Sequence, residues 1–201
     1  MARVSASRAV AALAALGLAG CITSPDQAPK PHDLPGYTDP SAFVQAYAAS
    51  LQERNLANYR KLLADEFEYF PRAADLPIPW LDGDSWGYAD ELGMIGHMMD
   101  SAFVPKDPDC GAVRAMYAEL TVSSRRDVGD GTIEVGTVGL IRVVWGADGG
   151  GVANARFVFD LARGEDGYLR LRAMHELPLF REGSLEVTPR TWAGLKAGYR
   201  E

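Results

Sequence analysis

The sequence predicts an α+β fold in which a curved antiparallel sheet wraps around two to three N-terminal helices. Three observations carry that expectation. Apolar residues recur at helical spacing early in the chain, at Phe43, Tyr47 and Leu51 and again at Leu92, Ile95, Met98 and Met99. From Met116 onward they alternate instead, in runs separated by Gly-containing turns, which is the period of half-buried strands. The composition is 47% apolar and 23% charged, with 8 Tyr, 7 Phe and 4 Trp, enough to bury one core in 201 residues. Helices first and strands afterwards give segregated layers.

The elements follow in order. Asp39-Pro40 reads as an N-cap with proline at the first helical position. The helix it opens runs to about Arg54, with Val44 and Ala48 flanking its apolar stripe. Asn55 caps a second helix that turns Leu56, Tyr59, Leu62 and Leu63 inward. Phe67 and Tyr69 then alternate with Glu66 and Glu68 as a short strand. Pro71 to Ser85, with three Pro, three Asp and Trp80, reads as a loop. A third helix covers roughly Trp86 to Ser101. Four strands follow: Met116 to Val122, Ile133 to Val144, one centred on Phe157, Phe159 and Leu161, and one carrying Leu169, Leu171, Ala173 and His175 on one face. Asp127 to Gly131, Gly146 to Gly151 and Glu165 to Gly167 are the turns between them. Thr188-Pro189 opens a short terminal helix with Trp192, Leu195 and Tyr199 on one side.

Ahead of this region lies a different kind of sequence. Met1 to Arg8 holds two Arg and no acid, Ala9 to Leu18 is almost wholly Ala, Val and Leu, and Leu18-Ala19-Gly20-Cys21 follows. This is the layout of a secretory signal, and its apolar run is short of the roughly twenty residues a membrane span needs. Leu-Ala-Gly-Cys at this distance resembles the lipobox of bacterial lipoproteins. The resemblance implies cleavage after Gly20 and diacylglyceryl transfer to the Cys21 thiol, leaving Cys21 as an acylated N-terminus. Several acyl chains on one residue suffice for stable anchoring. Ile22 rather than Asp after the cysteine implies outer-membrane sorting, hence a domain facing the periplasm. The expected organisation is a signal peptide over 1–20, a lipidated N-terminus and Pro-rich tether over 21–38, the α+β domain over 39–180 and a tail over 181–201. The processed chain of 181 residues would carry 18 basic and 27 acidic side chains, a net charge of −9. An acidic surface repels phosphates, so a nucleic-acid partner is not expected.

The order helix, helix, strand, helix and four strands resembles the nuclear-transport-factor-2-like (NTF2-like) superfamily, a cone-shaped α+β fold. Phe43 to Phe70 is similar to its SnoaL-like members, in which an aromatic-rich first helix meets an Arg-Asn joint, here Arg54-Asn55. A Leu-Leu-Ala-Asp-Glu-Phe segment, here Leu62 to Phe67, then enters the first strand. Trp86-Gly-x-x-x-Glu-Leu, ending at Leu92, matches the start of their third helix. The resemblance spans about Asp39 to Leu179 and implies a cavity at the wide end of the cone. It fixes no activity, because the superfamily holds isomerases, dehydratases, hydrolases and plain binding domains.

Candidate chemistry is sparse. Strand alternation aims His175 at the interior, where an imidazole could move a proton or serve as a hydrogen-bonded core residue. His97 lies one residue off the stripe of the third helix, either at the cavity mouth or on a helix surface near the C-terminus. Asp65, Glu66 and Glu68 form an acidic cluster at the first strand, where period two sets Glu66 and Glu68 opposite the inward Phe67 and Tyr69, as a solvated face. Cys110, between Asp109 and Gly111, has acidic neighbours that work against a reactive thiolate; it is inert or forms an intermolecular disulfide. No metal-ligand spacing, nucleophile elbow, phosphate loop or dinucleotide fingerprint is present, so no metal or cofactor is expected. Three functions compete. One is a lipid-anchored module that binds a small apolar ligand or a protein, lined by Tyr47, Tyr69, Trp80, Trp86, Met98, Met99 and His175. Another is an enzyme of isomerase, dehydratase or hydrolase type using His175 or His97 as acid or base. The third is a structural role as a homodimer paired through the sheet face. The lack of a spaced catalytic constellation favours the first.

Overall fold

A computed structural model describes residues 36–146, 149–179 and 191–200. The signal, Cys21 and most of the tether lie outside the described residues.

Helix α1 (Pro40–Gln52) starts as its sequence dictates, the Asp39 carboxylate accepting from the Ala42 N–H at 2.9 Å with Pro40 at the first position. Arg54 ends it in the left-handed region at φ 52°, and its guanidinium donates to the carbonyl of Met99 at 2.5 Å. Asn55 then caps α2 (Leu56–Leu62), accepting from the Asn58 N–H at 3.0 Å. The Arg-Asn joint therefore turns the chain and ties it to the next helix. Tyr59 and Leu62 of α2 are buried, but Leu56, expected inward, is exposed.

Strand β1 (Leu63–Phe70) follows without a break and buries Phe67 and Tyr69 while Glu66 and Glu68 face water. The loop after it contains one turn of 3-10 helix, Ala73–Asp75. The two-residue strand β2 (Trp86–Gly87) leads into α3 (Tyr88–Met99). The buried stripe of α3 is Glu91, Met94, Ile95, Met98 and Met99; Leu92, expected inside, lies at its margin.

The rest of the sheet is β3 (Val113–Gly129), β4 (Thr132–Trp145), β5 (Gly149–Arg163) and β6 (Leu169–Pro178). Asp130 and Gly131 turn β3 into β4 with φ of 52° and 72°, the pair of positive values that a two-residue hairpin requires. Gly149 to Gly151, expected as turn, instead pair with Trp145, Val144 and Val143 as the start of β5. The six strands form one curved, open sheet in the order β2-β1-β6-β5-β4-β3. It is mixed rather than wholly antiparallel. β1 leaves the helical layer and lies parallel to β6, the last strand of the meander. Helices α1 to α3 occupy the concave side, and one continuous core joins them to the sheet.

The final element enters that core. Helix α4 (Trp192–Ala197) is capped by the Thr191 hydroxyl, which accepts from the Gly194 N–H at 2.8 Å. Trp192 and Leu195 form its inward side, as their spacing predicts, Tyr199 packs inward just beyond it, and Lys196 is buried beside them; the expected opening at Thr188-Pro189 lies outside the described residues. All four have 0% exposure, so this short segment fills the cone instead of covering it.

Candidate functional site

The cone interior gathers polar groups from seven elements. Tyr47 comes from α1, Tyr59 from α2, Tyr69 from β1, Glu91 from α3, Glu176 from β6 and Lys196 from α4, with Trp86 of β2 among them. All are at most 2% exposed. Glu91 is the hub. Its Oε1 accepts from the Tyr59 hydroxyl at 2.5 Å; its Oε2 accepts from the Trp86 indole N–H and the Lys196 ammonium, each at 2.8 Å. Glu176 is equally occupied. Its Oε2 accepts from the Tyr69 hydroxyl at 2.6 Å and the Ala193 N–H at 2.9 Å, and its Oε1 accepts from the Trp192 N–H at 2.9 Å. The first turn of α4 thus hangs on a carboxylate of the sheet.

Aromatic rings wall this network. Tyr69 and Trp86 stack at 4.4 Å, and the Lys196 Nζ lies 3.2 Å from the Tyr69 ring centroid and 4.7 Å from that of Trp86. Removal from water disfavours charge. It lowers the Lys196 pKa to about 8 against the pull of Glu91 and Glu176. It also lifts the Tyr59 and Tyr69 hydroxyls well above their usual value, reinforced by Glu91 and Glu176 respectively.

Of the residues the sequence singled out, Tyr47, Tyr69, Trp86 and Met98 do meet in the interior. Trp80 stands at the rim, under the Arg200 guanidinium at 3.9 Å from its ring centroid. The two histidines do not line the interior. His97 directs Nδ1 at the Tyr199 carbonyl at 2.8 Å and stacks on Phe103 at 4.0 Å. His175 faces the opposite side of the sheet, against the alternation expected for it. Leu171 pairs with Leu161 but Ala173 with Asp160, so Arg172 is an extra residue in β6 and reverses the phase beyond it. Met174 and Glu176 point inward in consequence, and His175 stacks on Phe70 at 4.5 Å with Nε2 3.6 Å from Asp160. With Glu66, Glu68, Asp160 and Arg172 it lines an open groove of about 540 Å³ on the outer face. The Cys110 Sγ lies 3.7 Å from the Asp107 carboxylate, to which it donates.

Sequence reasoning missed Glu91, Glu176 and Lys196. Glu91 had a signal, since it stands four residues before Ile95 and seven before Met98, on the apolar stripe itself. Lys196 had a weaker one, four residues after Trp192. Glu176 had none, because the bulge hides its phase. Among the described residues no cluster of His, Cys, Asp or Glu is built to hold a metal ion, and no helix is long and apolar enough to cross a membrane.

These features can be set beside known proteins. No family model and no curated protein matches the chain. Solved structures do. A candidate aromatic ring hydroxylase from Novosphingobium aromaticivorans aligns over 70% of this chain and 87% of its own, with a TM-score of 0.52 at 14% identity. An NTF2-like protein of unknown function in nutrient uptake from Rhodospirillum rubrum aligns over 71% of this chain and 99% of its own, with a TM-score of 0.51 at 17% identity. A candidate scytalone dehydratase from N. aromaticivorans gives 0.51 at 12% identity, covering 71% of this chain and 92% of its own. The fold is the cone-shaped, NTF2-like α+β fold. Its structural neighbours include candidate enzymes and a protein of unknown function.

Proposed function

We propose that this chain is a membrane-anchored lipoprotein whose NTF2-like domain is a binding module for a small ligand, seated in the cone. One observation carries the binding half of the reading. Both interior carboxylates are held by three donors of the chain itself, so each is a fixed, pre-oriented acceptor within the cone. The histidines that would serve an enzyme lie outside this interior network. Leu18 to Cys21 supports the anchoring half.

Full-length chain expressed in a Gram-negative host should require detergent for extraction, and Cys21→Ser should accumulate as an unlipidated precursor. Release of the unmutated chain by salt alone would overturn the anchor. Native mass spectrometry of the detergent-purified protein should find a co-purifying small molecule, retained in His175→Gln and His97→Gln. Loss of that molecule in either histidine variant would move the site out of the cone.

A further inference from the structure

Among the described residues, the fully buried Lys196 ammonium is carried by the shortest α-helix, α4. Lys196 reaches from α4 into a box made by other elements: the Tyr69 ring of β1, the Trp86 ring of β2 and the Glu91 carboxylate of α3. Trp192, from α4 itself, adds a third ring at 5.5 Å. Flat aromatic faces present negative potential to a cation, and a carboxylate accepts its N–H groups. These are the parts of a receptor for an organic ammonium ion.

A stabilising role alone explains the box poorly. Ions removed from water lose hydration that their attraction barely returns, and well-packed apolar residues usually serve a core as well or better. The walls of the box, Trp192 apart, belong to elements other than α4. Tyr59 and Trp86 fix the Glu91 carboxylate at 2.5 and 2.8 Å, and the Tyr69–Trp86 stack lies within the body of the fold. Only Lys196, Trp192 and their neighbours on α4 come from elsewhere. Six residues are too few to hold a helix without packing, and removing α4 breaks none of the ladders between the six strands.

We propose that the cone interior is a binding site for a primary alkylammonium ligand, and that Lys196 is a built-in occupant which such a ligand displaces together with α4. The proposal rests on the binding-module reading and names its ligand class. The Glu91 Oε2 accepts an N–H from the resident ammonium at 2.8 Å, a bond that a quaternary ammonium cannot supply. The Lys196 methylenes are buried with it, so the site takes an alkyl stem as well as a charge.

The test uses the full chain carrying Lys196→Ala and, as probe, n-propylammonium, the fragment that the substitution deletes. Thermal unfolding at constant ionic strength should show a saturable rise in Tm with the probe. Neither 1-propanol, which lacks the charge, nor n-propyltrimethylammonium, which lacks the N–H, should reproduce it. Adding Glu91→Gln should abolish it. The unsubstituted protein should need at least about tenfold more probe, because Lys196 competes. At that concentration the amides of Leu195 and Lys196 should exchange faster with deuterium. If Lys196→Ala does not fold alone, refolding with n-propylammonium should recover it. The proposal is overturned if the probe acts no better than sodium chloride or 1-propanol, if it neither protects nor refolds Lys196→Ala, or if α4 exchange is unchanged. Membranes and co-purified molecules play no part, so failure here leaves the anchor standing, and failure of the anchor leaves this result standing.

Discussion

At the scale of the residue, Glu91 bears the largest consequence. Glu91→Ala would leave a buried ammonium, a tyrosine hydroxyl and an indole N–H without their common acceptor. Breaking one side of a buried pair costs about 3–5 kcal/mol, so this variant should lose most of its stability in urea titration. Lys196→Met, which removes the charge but keeps the volume, should cost much less. Titration adds a second expectation. Lys196 is faced by Glu91 from α3, Tyr69 from β1 and Glu176 from β6, and its folded pKa of about 8 lies below the unfolded 10.5. The unfolded chain therefore binds the proton more tightly, and the penalty present below about pH 8 is relieved as pH climbs towards 10.5. Tyr59 and Tyr69 act oppositely. Their folded values lie above the unfolded 10.0, so their contribution is intact below pH 10 and lost beyond it. The urea midpoint should hold or rise between pH 8 and 10 and fall steeply above; a fall beginning at pH 8 would contradict the burial of these groups.

At the scale of the element, what could be read in advance depended on whether local chemistry decides the outcome. The start of α1 was legible because Asp39 and Pro40 act on their own helix. The alternation of β1 was legible because Phe67 and Tyr69 differ so sharply from Glu66 and Glu68. His175 was misread because one extra residue in β6 reverses the phase, and pairing with β5 settles where that residue goes. The Gly149 to Gly151 run reads as turn but pairs with Val143 to Trp145, and of its three glycines Gly151 answers a residue distant in sequence, Leu195. A Cβ on Gly151 would collide with the Leu195 side chain and stand 3.2 Å from the Trp145 ring. The missing side chain is what lets α4 lie against β5. Gly151→Val should expel that helix by overpacking, at about 1–3 kcal/mol. Acrylamide should then quench Trp192 while the sheet's far-ultraviolet signal persists; unchanged quenching would mean that α4 does not depend on that gap.

At the scale of the molecule, the helices, the sheet and α4 share one core, and this bears on how the chain comes apart. Trp86 from the start of the domain and Trp192 from near its end are both in the same buried cluster. Glu91 joins α2, α3, β2 and α4 by hydrogen bonds, and Glu176 joins β1, β6 and α4. In the unsubstituted protein an element tied to so many others is not expected to leave early while the rest stays native, unless a ligand takes its place. Without an added amine, tryptophan fluorescence and far-ultraviolet circular dichroism should therefore report one urea midpoint and one slope. With saturating n-propylammonium Trp192 should already be out of the cone before urea is added, so fluorescence starts shifted while circular dichroism keeps one transition. Separate midpoints in plain buffer would mean that α4 docks on a finished domain instead of completing it, and the charges at Glu91 and Lys196 would then be peripheral to folding.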